Sequence, residues 1–359
     1  MSLQGIAING KFLGAPLNGV HRTAAHFSEQ LVRRAASAYP VRVLAPRPAK
    51  VHPEFPQMQV EVEPGSFGSG QGWEWFTLPS KARGSLLVNF CNLAPLAHGN
   101  SVVMIHDAQT FLYPEDYGGR QAVAYRRLLP WIARRARRIL TVSGFARDSL
   151  AAHGVGTLDK IDVVHNGTDH ILAAAEDRGV LRRNGLGPGG YVLTVGSTKG
   201  YKNIRTVFEA LRASLPGGHR LVVAGGPGEA CYRKAGLSPP AGTVFTGFVS
   251  DAELRALYAG AAVFVFPSLT EGFGLPPLEA MQCGAPVVAA RAGAMPEVCG
   301  DGALFVEPTD ARAYRKAIEA LLACPEIADA LRARGSARAR RLSWDAAGER
   351  LYDVIGRLL

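Results

Sequence analysis

The sequence predicts an α/β chain of two domains, each a parallel sheet covered by helices. Short strings rich in Val, Ile and Phe, apolar on both faces, alternate with longer stretches of helical periodicity, which is the pattern of strands buried inside a parallel sheet. The series breaks once: between Asn166 and Tyr191 the stretch TDHILAAAEDRGVLRRNGLGPGG carries no strand and ends in a Gly-Pro-Gly-Gly cluster. With 359 residues, 47% of them hydrophobic, there is apolar material for two cores rather than one.

The expected strands before the break are GIAIN (5–9), VRVLA (41–45), SLLVNF (85–90), SVVMIH (101–106), RRILTVS (137–143) and KIDVVHN (160–166). After it come YVLTVGS (191–197), HRLVVAGG (219–226), AAVFVFPS (261–268) and APVVAA (285–290). The domains expected from this spacing are 1–168, a linker 169–190, a second domain 191–341 and a terminal amphipathic helix 342–359 that packs back across. In two facing α/β domains, ligands belong at the carboxyl ends of the strands, so a site in the cleft is expected.

Composition excludes several classes. Five cysteines, widely separated and odd in number, give neither a disulfide framework nor a structural zinc spacing, and fit a reducing compartment. MSLQGIAING has no basic and apolar leader pattern, and the longest apolar string, LYAGAAVFVFPSL (257–269), is shorter than the roughly 20 residues that span a bilayer. A cytoplasmic protein is expected.

The formal charge of +10 is unevenly spread. YRRLLPWIARRARRI (125–139) holds Arg126, Arg127, Arg134, Arg135, Arg137 and Arg138 with no acid, interleaved with Leu128, Leu129, Trp131 and Ile132. It reads as a basic amphipathic helix, suited to an anionic membrane or a phosphate-rich partner, and equally to a solvated surface. No nucleic-acid motif accompanies it, so nucleic acid is not an expected partner.

The densest chemistry lies in TEGFGLPPLEAMQCGAPVVAA (270–290). A loop at the end of a strand carries Gly272 and Gly274, which permit conformations or close approaches that side chains block. Pro276 or Pro277 suits the first position of a helix that Gly284 and Pro286 close. The amides and positive dipole end of that helix suit an anion, with Glu271 before it and Glu279 in its first turn. Two carboxylates so placed match vicinal sugar hydroxyls better than a metal; Glu279 alone would be explained by the helix dipole.

FPSLTEGFGLPPLEAMQCGAPVV (266–288) closely resembles the E-x7-E region of retaining, nucleotide-sugar-dependent glycosyltransferases of family 4, which have the GT-B fold. GSTKGYKNI (196–204), SVVMIHDAQTFLYPEDY (101–117), ARRILTVSGFARDSL (136–150), IDVVHNGTD (161–169) and INGKFLGAPLNGVHRTAAHFSEQL (8–31) resemble other stretches of that family, so the likeness covers nearly the whole chain. The opening and WEWFTLPSKARGSLLVNFCNLAPL (73–96) most resemble bacterial mannosyltransferases of surface-polysaccharide assembly.

The resemblance implies a first domain for the acceptor and a second for the donor. It gives Lys202 and the amides of Phe273, Gly274 and Leu275 to the leaving diphosphate and sugar, Glu279 to the ribose and Glu271 to the transferred sugar. The base is expected near Phe248 and Val249, and His106 beside the donor sugar, where a donor or a polarised carbonyl would meet oxocarbenium-like charge. Where the family often has an arginine this chain has Ser197, for which Lys199 would compensate; Gly19 and Arg22 would approach the phosphates from the first domain. No D-x-D pair occurs, so no metal or other cofactor is expected. The branch resemblance favours GDP-mannose as donor over a UDP-hexose or a dTDP-deoxysugar, and implies a glycan or polyprenyl-diphosphate-linked acceptor met at the inner membrane face through residues 125–139. A nucleotide-sugar epimerase and a non-catalytic nucleotide-sugar-binding scaffold are the rival readings. A second glycine cluster, GGPG (225–228), is no dinucleotide fingerprint, because Cys231 stands where the third glycine belongs.

Overall fold

The computed structural model describes residues 5–15, 19–50, 52–65 and 67–359; residues 16–18, within the opening glycine-containing stretch, lie outside the described residues. The chain divides into two compact units, the first comprising 1–166 and 344–359, the second 167–343.

The first unit holds a seven-stranded sheet: β1 (Ile6–Asn9), β2 (Val41–Ala45), β3 (Val60–Val62), β4 (Leu86–Asn89), β5 (Ser101–Met104), β6 (Arg138–Thr141) and β7 (Ile161–Val163). All pairs are parallel and the spatial order is β3-β2-β1-β4-β5-β6-β7. β1 and β4 are buried along their whole length, as interior strands between two helical layers must be. The helix Gly19–Ala35 covers one face, and the terminal helix Trp344–Gly356 packs on it within this unit. Trp344 stacks on His26 at a centroid separation of 4.3 Å. Gly348 is small because a Cβ there would meet Gln30 Oε1 at 2.6 Å, and Asp345 pairs with Arg33 and Arg34.

The second unit holds a six-stranded parallel sheet: β8 (Tyr191–Val195), β9 (Arg220–Ala224), β10 (Val244–Gly247), β11 (Val263–Phe266), β12 (Val287–Ala290) and β13 (Ala303–Val306), in the order β10-β9-β8-β11-β12-β13. Val192, Val223, Val265, Val288, Tyr314 and Ile318 belong to one buried cluster on its face. The segment 169–190, expected as a linker, carries the turn Asp169–Leu172 and the short helix Gly179–Arg183 and folds into this unit. Arg255 Nη1 donates to the carbonyls of Leu172 and Ala174, and the Gly189 amide donates to the Gly260 carbonyl.

Each sheet winds in both directions from its first strand, so each has one crevice where the strand order reverses. In the first sheet it opens between the carboxyl ends of β1 and β4, in the second between those of β8 and β11. Crevices of this kind are where open α/β sheets bind ligands.

Candidate active site

The crevice of the second sheet is built by two loops. After β8, the chain passes Gly196, Ser197 and Lys199 into a single turn, Gly200–Lys202. Gly196 is required by packing: a Cβ would meet the Gly225 carbonyl oxygen and the Tyr232 hydroxyl, each at 2.6 Å. The GGPG cluster therefore serves close contact between two strand exits. Asn203 follows in the left-handed region (φ 54°) and clamps the loop, its Nδ2 donating to the carbonyls of Pro267 (3.0 Å) and Pro308 (2.7 Å).

After β11 the chain runs through Ser268 and Glu271 into the helix Leu275–Gln282. Lys202 Nζ lies 2.6 Å from Glu271 Oε1, and Ser268 Oγ donates to the same oxygen at 2.6 Å. The ammonium also stands 5.3 Å from the Tyr201 ring centroid and 5.7 Å from that of Phe266. Lys202 is part-exposed and Glu271 buried, so the ion pair opens outward through the lysine. Gly293 supports Glu271 from below: a Cβ there would meet the Glu271 nitrogen at 2.6 Å.

The helix start differs from the sequence expectation. Leu275, not a proline, is the first helical residue, Pro276 and Pro277 follow, and Gly274 caps at φ 87°, where a Cβ would collide with the Met295 methyl at 2.2 Å. Prolines have no N–H, so two amides that a helix start normally offers are missing, and Gly274 and Leu275 carry the remaining donors beside Phe273. The helix ends as expected: Gly284 at φ 80° donates to Met281 O and Ala285 to Ala280 O, the paired bonds of a Schellman cap.

Glu279 stands one or two residues deeper than expected, just past the first turn, because the helix begins at Leu275. Its carboxylate is held on both oxygens: His170 Nε2–H donates to Oε1 at 3.0 Å and the Tyr258 hydroxyl to Oε2 at 3.2 Å. All three side chains are buried. Burial, and then the Glu279 charge, raise the Tyr258 hydroxyl well above its ordinary value, so it stays a donor. Burial likewise pushes the Cys283 thiol up to about 12.

Around this centre, Ser197 Oγ accepts the Lys199 amide at 3.2 Å, and the Lys199 ammonium lies 5.6 Å from the Tyr201 ring centroid. Phe248 and Val249 leave the end of β10, with Phe248 93% exposed. Lys202, Glu271, Gly274 and Leu275 thus gather at the β8–β11 crevice, while Glu279 forms its own buried cluster. His170, Tyr258, Ser268 and Asn203 were not singled out from sequence. His170 lies in a polar stretch read as linker, and its partner is 109 residues away.

His106, Gly19 and Arg22 belong to the first unit. Gly19 opens the helix Gly19–Ala35 and Arg22 is half-buried in its first turn. His106 is buried beyond β5, its Nε2–H donating to Phe90 O at 2.8 Å and its backbone amide to Asn92 Oδ1 at 2.9 Å. Burial lowers its pKa. The ring's one proton is thus committed, which removes the expected role of hydrogen-bond donor to the sugar and leaves Nδ1 as an acceptor.

The basic segment differs too. The helix runs Gly119–Arg135, and Arg138 begins β6, pairing with Asp162 at 2.7 Å; Arg137 donates to Asn100 and to the Leu358 carbonyl. Arg126, Arg127 and Arg134 remain on the exposed face with Trp131, which is 59% exposed and has the Arg134 guanidinium 5.4 Å from its ring centroid. Among the described residues no helix is long and apolar enough to cross a membrane.

Comparison with known proteins accords with this geometry. The family described as glycosyl transferases group 1 matches residues 184–339, and glycosyltransferase family 4 matches 17–171. The O-antigen chain mannosyltransferase B of Escherichia coli is 34% identical over 257 residues, which are 68% of this chain and 67% of that protein. The O-antigen chain mannosyltransferase RfbU of Salmonella typhimurium is 30% identical over 63% of this chain and 62% of its own length. The chain thus aligns with about two thirds of these relatives. The solved structure of Anabaena HepE in complex with UDP and glucose shares the fold, with a TM-score of 0.74 over 98% of this chain and 99% of that one at 19% identity. The chain belongs to the family 4 glycosyltransferases, a group with two parallel-sheet domains in the GT-B fold.

Proposed function

We propose that this chain transfers a mannosyl residue from GDP-mannose to a saccharide hydroxyl, with retention and without a metal, in the assembly of a cell-surface polysaccharide. The names of the two O-antigen relatives support the sugar and the setting. The observation that carries the reading is the Lys202–Glu271 pair beside the Gly274 and Leu275 amides: a part-exposed cation and backbone donors for a diphosphate, next to a carboxylate for sugar hydroxyls. Phe248, exposed beyond β10, offers a face to the base, and the buried Glu279 supplies the acceptor pair for a ribose.

In the reaction, the bond from the anomeric carbon to the β-phosphate oxygen breaks as the acceptor oxygen bonds to the same face of that carbon. The acceptor proton passes to the departing phosphate. Glu271 Oε1 is already engaged by Lys202 and Ser268, which suits orienting hydroxyls better than covalent attack. The first unit takes the acceptor, a glycan or a polyprenyl-diphosphate-linked saccharide, and the Arg126, Arg127, Arg134 and Trp131 face brings it to an anionic membrane surface.

The test is a thermal-shift panel of GDP-mannose, UDP-glucose, UDP-N-acetylglucosamine and dTDP-rhamnose, with their free diphosphates, in chelator. The expected result is a shift with the guanosine compounds alone, followed by mannosyl transfer in chelator. A shift confined to uridine compounds would refute the donor.

A further inference from the structure

The crevice of the first sheet, between the carboxyl ends of β1 and β4, is lined by a polar cluster that the donor chemistry does not use. Its inner layer is Asn9, at the end of β1, Asn89, at the end of β4, and Glu74, which is only 2% exposed. Asn9 Nδ2 donates to Glu74 Oε1 at 2.6 Å and to Asn89 Oδ1 at 3.0 Å; Asn89 Nδ2 donates to Val102 O at 3.2 Å. Glu74 is delivered by a π-helical turn, Trp73–Thr77, which is anchored by fully buried Trp73 and pressed against Gly65, where a Cβ would meet Thr77 Oγ1 at 2.5 Å. Such turns are costly and concentrate at functional sites.

The outer layer is Lys11 and Gln71. Lys11 Nζ donates to Glu74 Oε2 at 2.5 Å and to Gln71 Oε1 at 3.1 Å, and Gln71 Nε2 donates to Glu74 Oε2 at 2.5 Å. The two layers differ in what they have left. Both amide protons of Asn9 are spent on the inner layer. An ammonium has three N–H groups and a carboxamide two, so Lys11 and Gln71 each keep one donor unspent within this cluster, and the Lys11 side chain is 26% exposed.

The charge of Lys11 is cancelled by Glu74, and the other members are neutral amides. A phosphate would find no net cation here, whereas a neutral polyol finds polarised donors held in place by a buried carboxylate. Burial, and then the Glu74 charge, push the nearby Cys91 thiol up to about 12, so that side chain stays a neutral thiol.

We infer that the β1–β4 crevice is a subsite for an uncharged hexose ring of the acceptor, touched by Lys11 and Gln71, with Glu74 and Asn9 as positioning residues. The inference rests on the glycosyltransferase reading above and assigns acceptor specificity within it. Any phosphate of a lipid-linked acceptor then has to be met elsewhere.

Saturation-transfer NMR with the methyl α-glycosides of mannose, glucose and galactose tests this on the full chain, without nucleotide and again with GDP. The expected result is transfer to at least one glycoside in the wild type and about a ten-fold loss of affinity in Lys11→Met and in Gln71→Leu. Glu74→Gln leaves Lys11 uncompensated, so binding should turn toward mannose 6-phosphate. Melting points of each variant show that the protein is folded. Undiminished glycoside binding in Lys11→Met, even with a lowered melting point, would mean that the cluster only braces the fold and would overturn the inference. No transfer to any glycoside in folded wild type would overturn it as well. Because the measurement needs no donor, loss of the nucleotide shift with glycoside binding retained would refute the donor reading alone.

Discussion

Lys202 and Glu271 are 69 residues apart in sequence and 2.6 Å apart in space, the charged centre of the crevice between β8 and β11. A diphosphate arriving there competes with the carboxylate for the ammonium. Replacing Lys202 with methionine should lower kcat/KM for transfer by about 10²-fold or more, as removal of one preorganised donor does elsewhere. Steady-state kinetics checks this, and a loss below ten-fold would give the diphosphate to Lys199 instead.

The His170–Glu279–Tyr258 cluster predicts a graded pair of effects. If Glu279 accepts from ribose as proposed, Glu279→Gln should weaken GDP binding by about ten-fold or more, since the carboxylate is replaced by an amide. His170→Ala should raise the donor KM more than it lowers kcat, and His170→Gln should restore most of the loss. Equal effects of Ala and Gln would mean that the ring only fills space.

Phe248 is 93% exposed, so it contributes little to the core. Phe248→Ala should leave the melting point within about 1 °C of wild type while weakening GDP binding by about ten-fold, the usual worth of one aromatic face against a base. Calorimetric titration measures it directly.

Burial lowers the His106 pKa. The unfolded chain then binds more protons than the native one below about pH 6.5, so stability is complete above that value and falls as pH drops toward the folded pKa. Urea unfolding at pH 7.5 and 5.5 should show this loss in wild type and a smaller one in His106→Asn, which also keeps an N–H for Phe90. An equal slope in both would place the titration elsewhere.

For the membrane, the exposed face narrows the test. Arg126, Arg127 and Arg134 changed to glutamate with Trp131→Ala should abolish sedimentation with anionic vesicles and leave folding intact. Arg137 and Arg138 make poor targets, being tied to Asn100, Leu358 and Asp162. Unchanged sedimentation would make the face a solvated surface.

Much of this architecture is legible in the residues. Strands such as β1, β4, β8 and β11, buried on both faces, announce themselves as apolar runs. β3, β10 and β13 were missed for one reason: all are edge strands, partly wet, and VEV, VFTG and ALFV lack the continuous apolar string. In the site, the glycine and lysine positions carry local signals, because turns and phosphate loops are built from near neighbours in sequence. The partners of Glu279 carry none. Tyr258 is a core-facing helix residue by pattern, and His170 sits in a stretch whose polarity hides that it is buried. Likewise, nothing about Glu74 beside two tryptophans in WEWFT announces a carboxylate that will sit 2% exposed.

The two prolines that open the helix Leu275–Gln282 have a thermodynamic consequence. Their rings fix φ at consecutive positions, so that turn has little freedom left to lose when an anion settles against it. On the proposed donor role, the ordering penalty for this part of the pocket is thus met during folding, leaving the encounter itself to be governed by exchange of water for phosphate oxygens. Relaxing that turn with Pro276→Ala and Pro277→Ala would restore two N–H groups but return the ordering cost to each catalytic cycle.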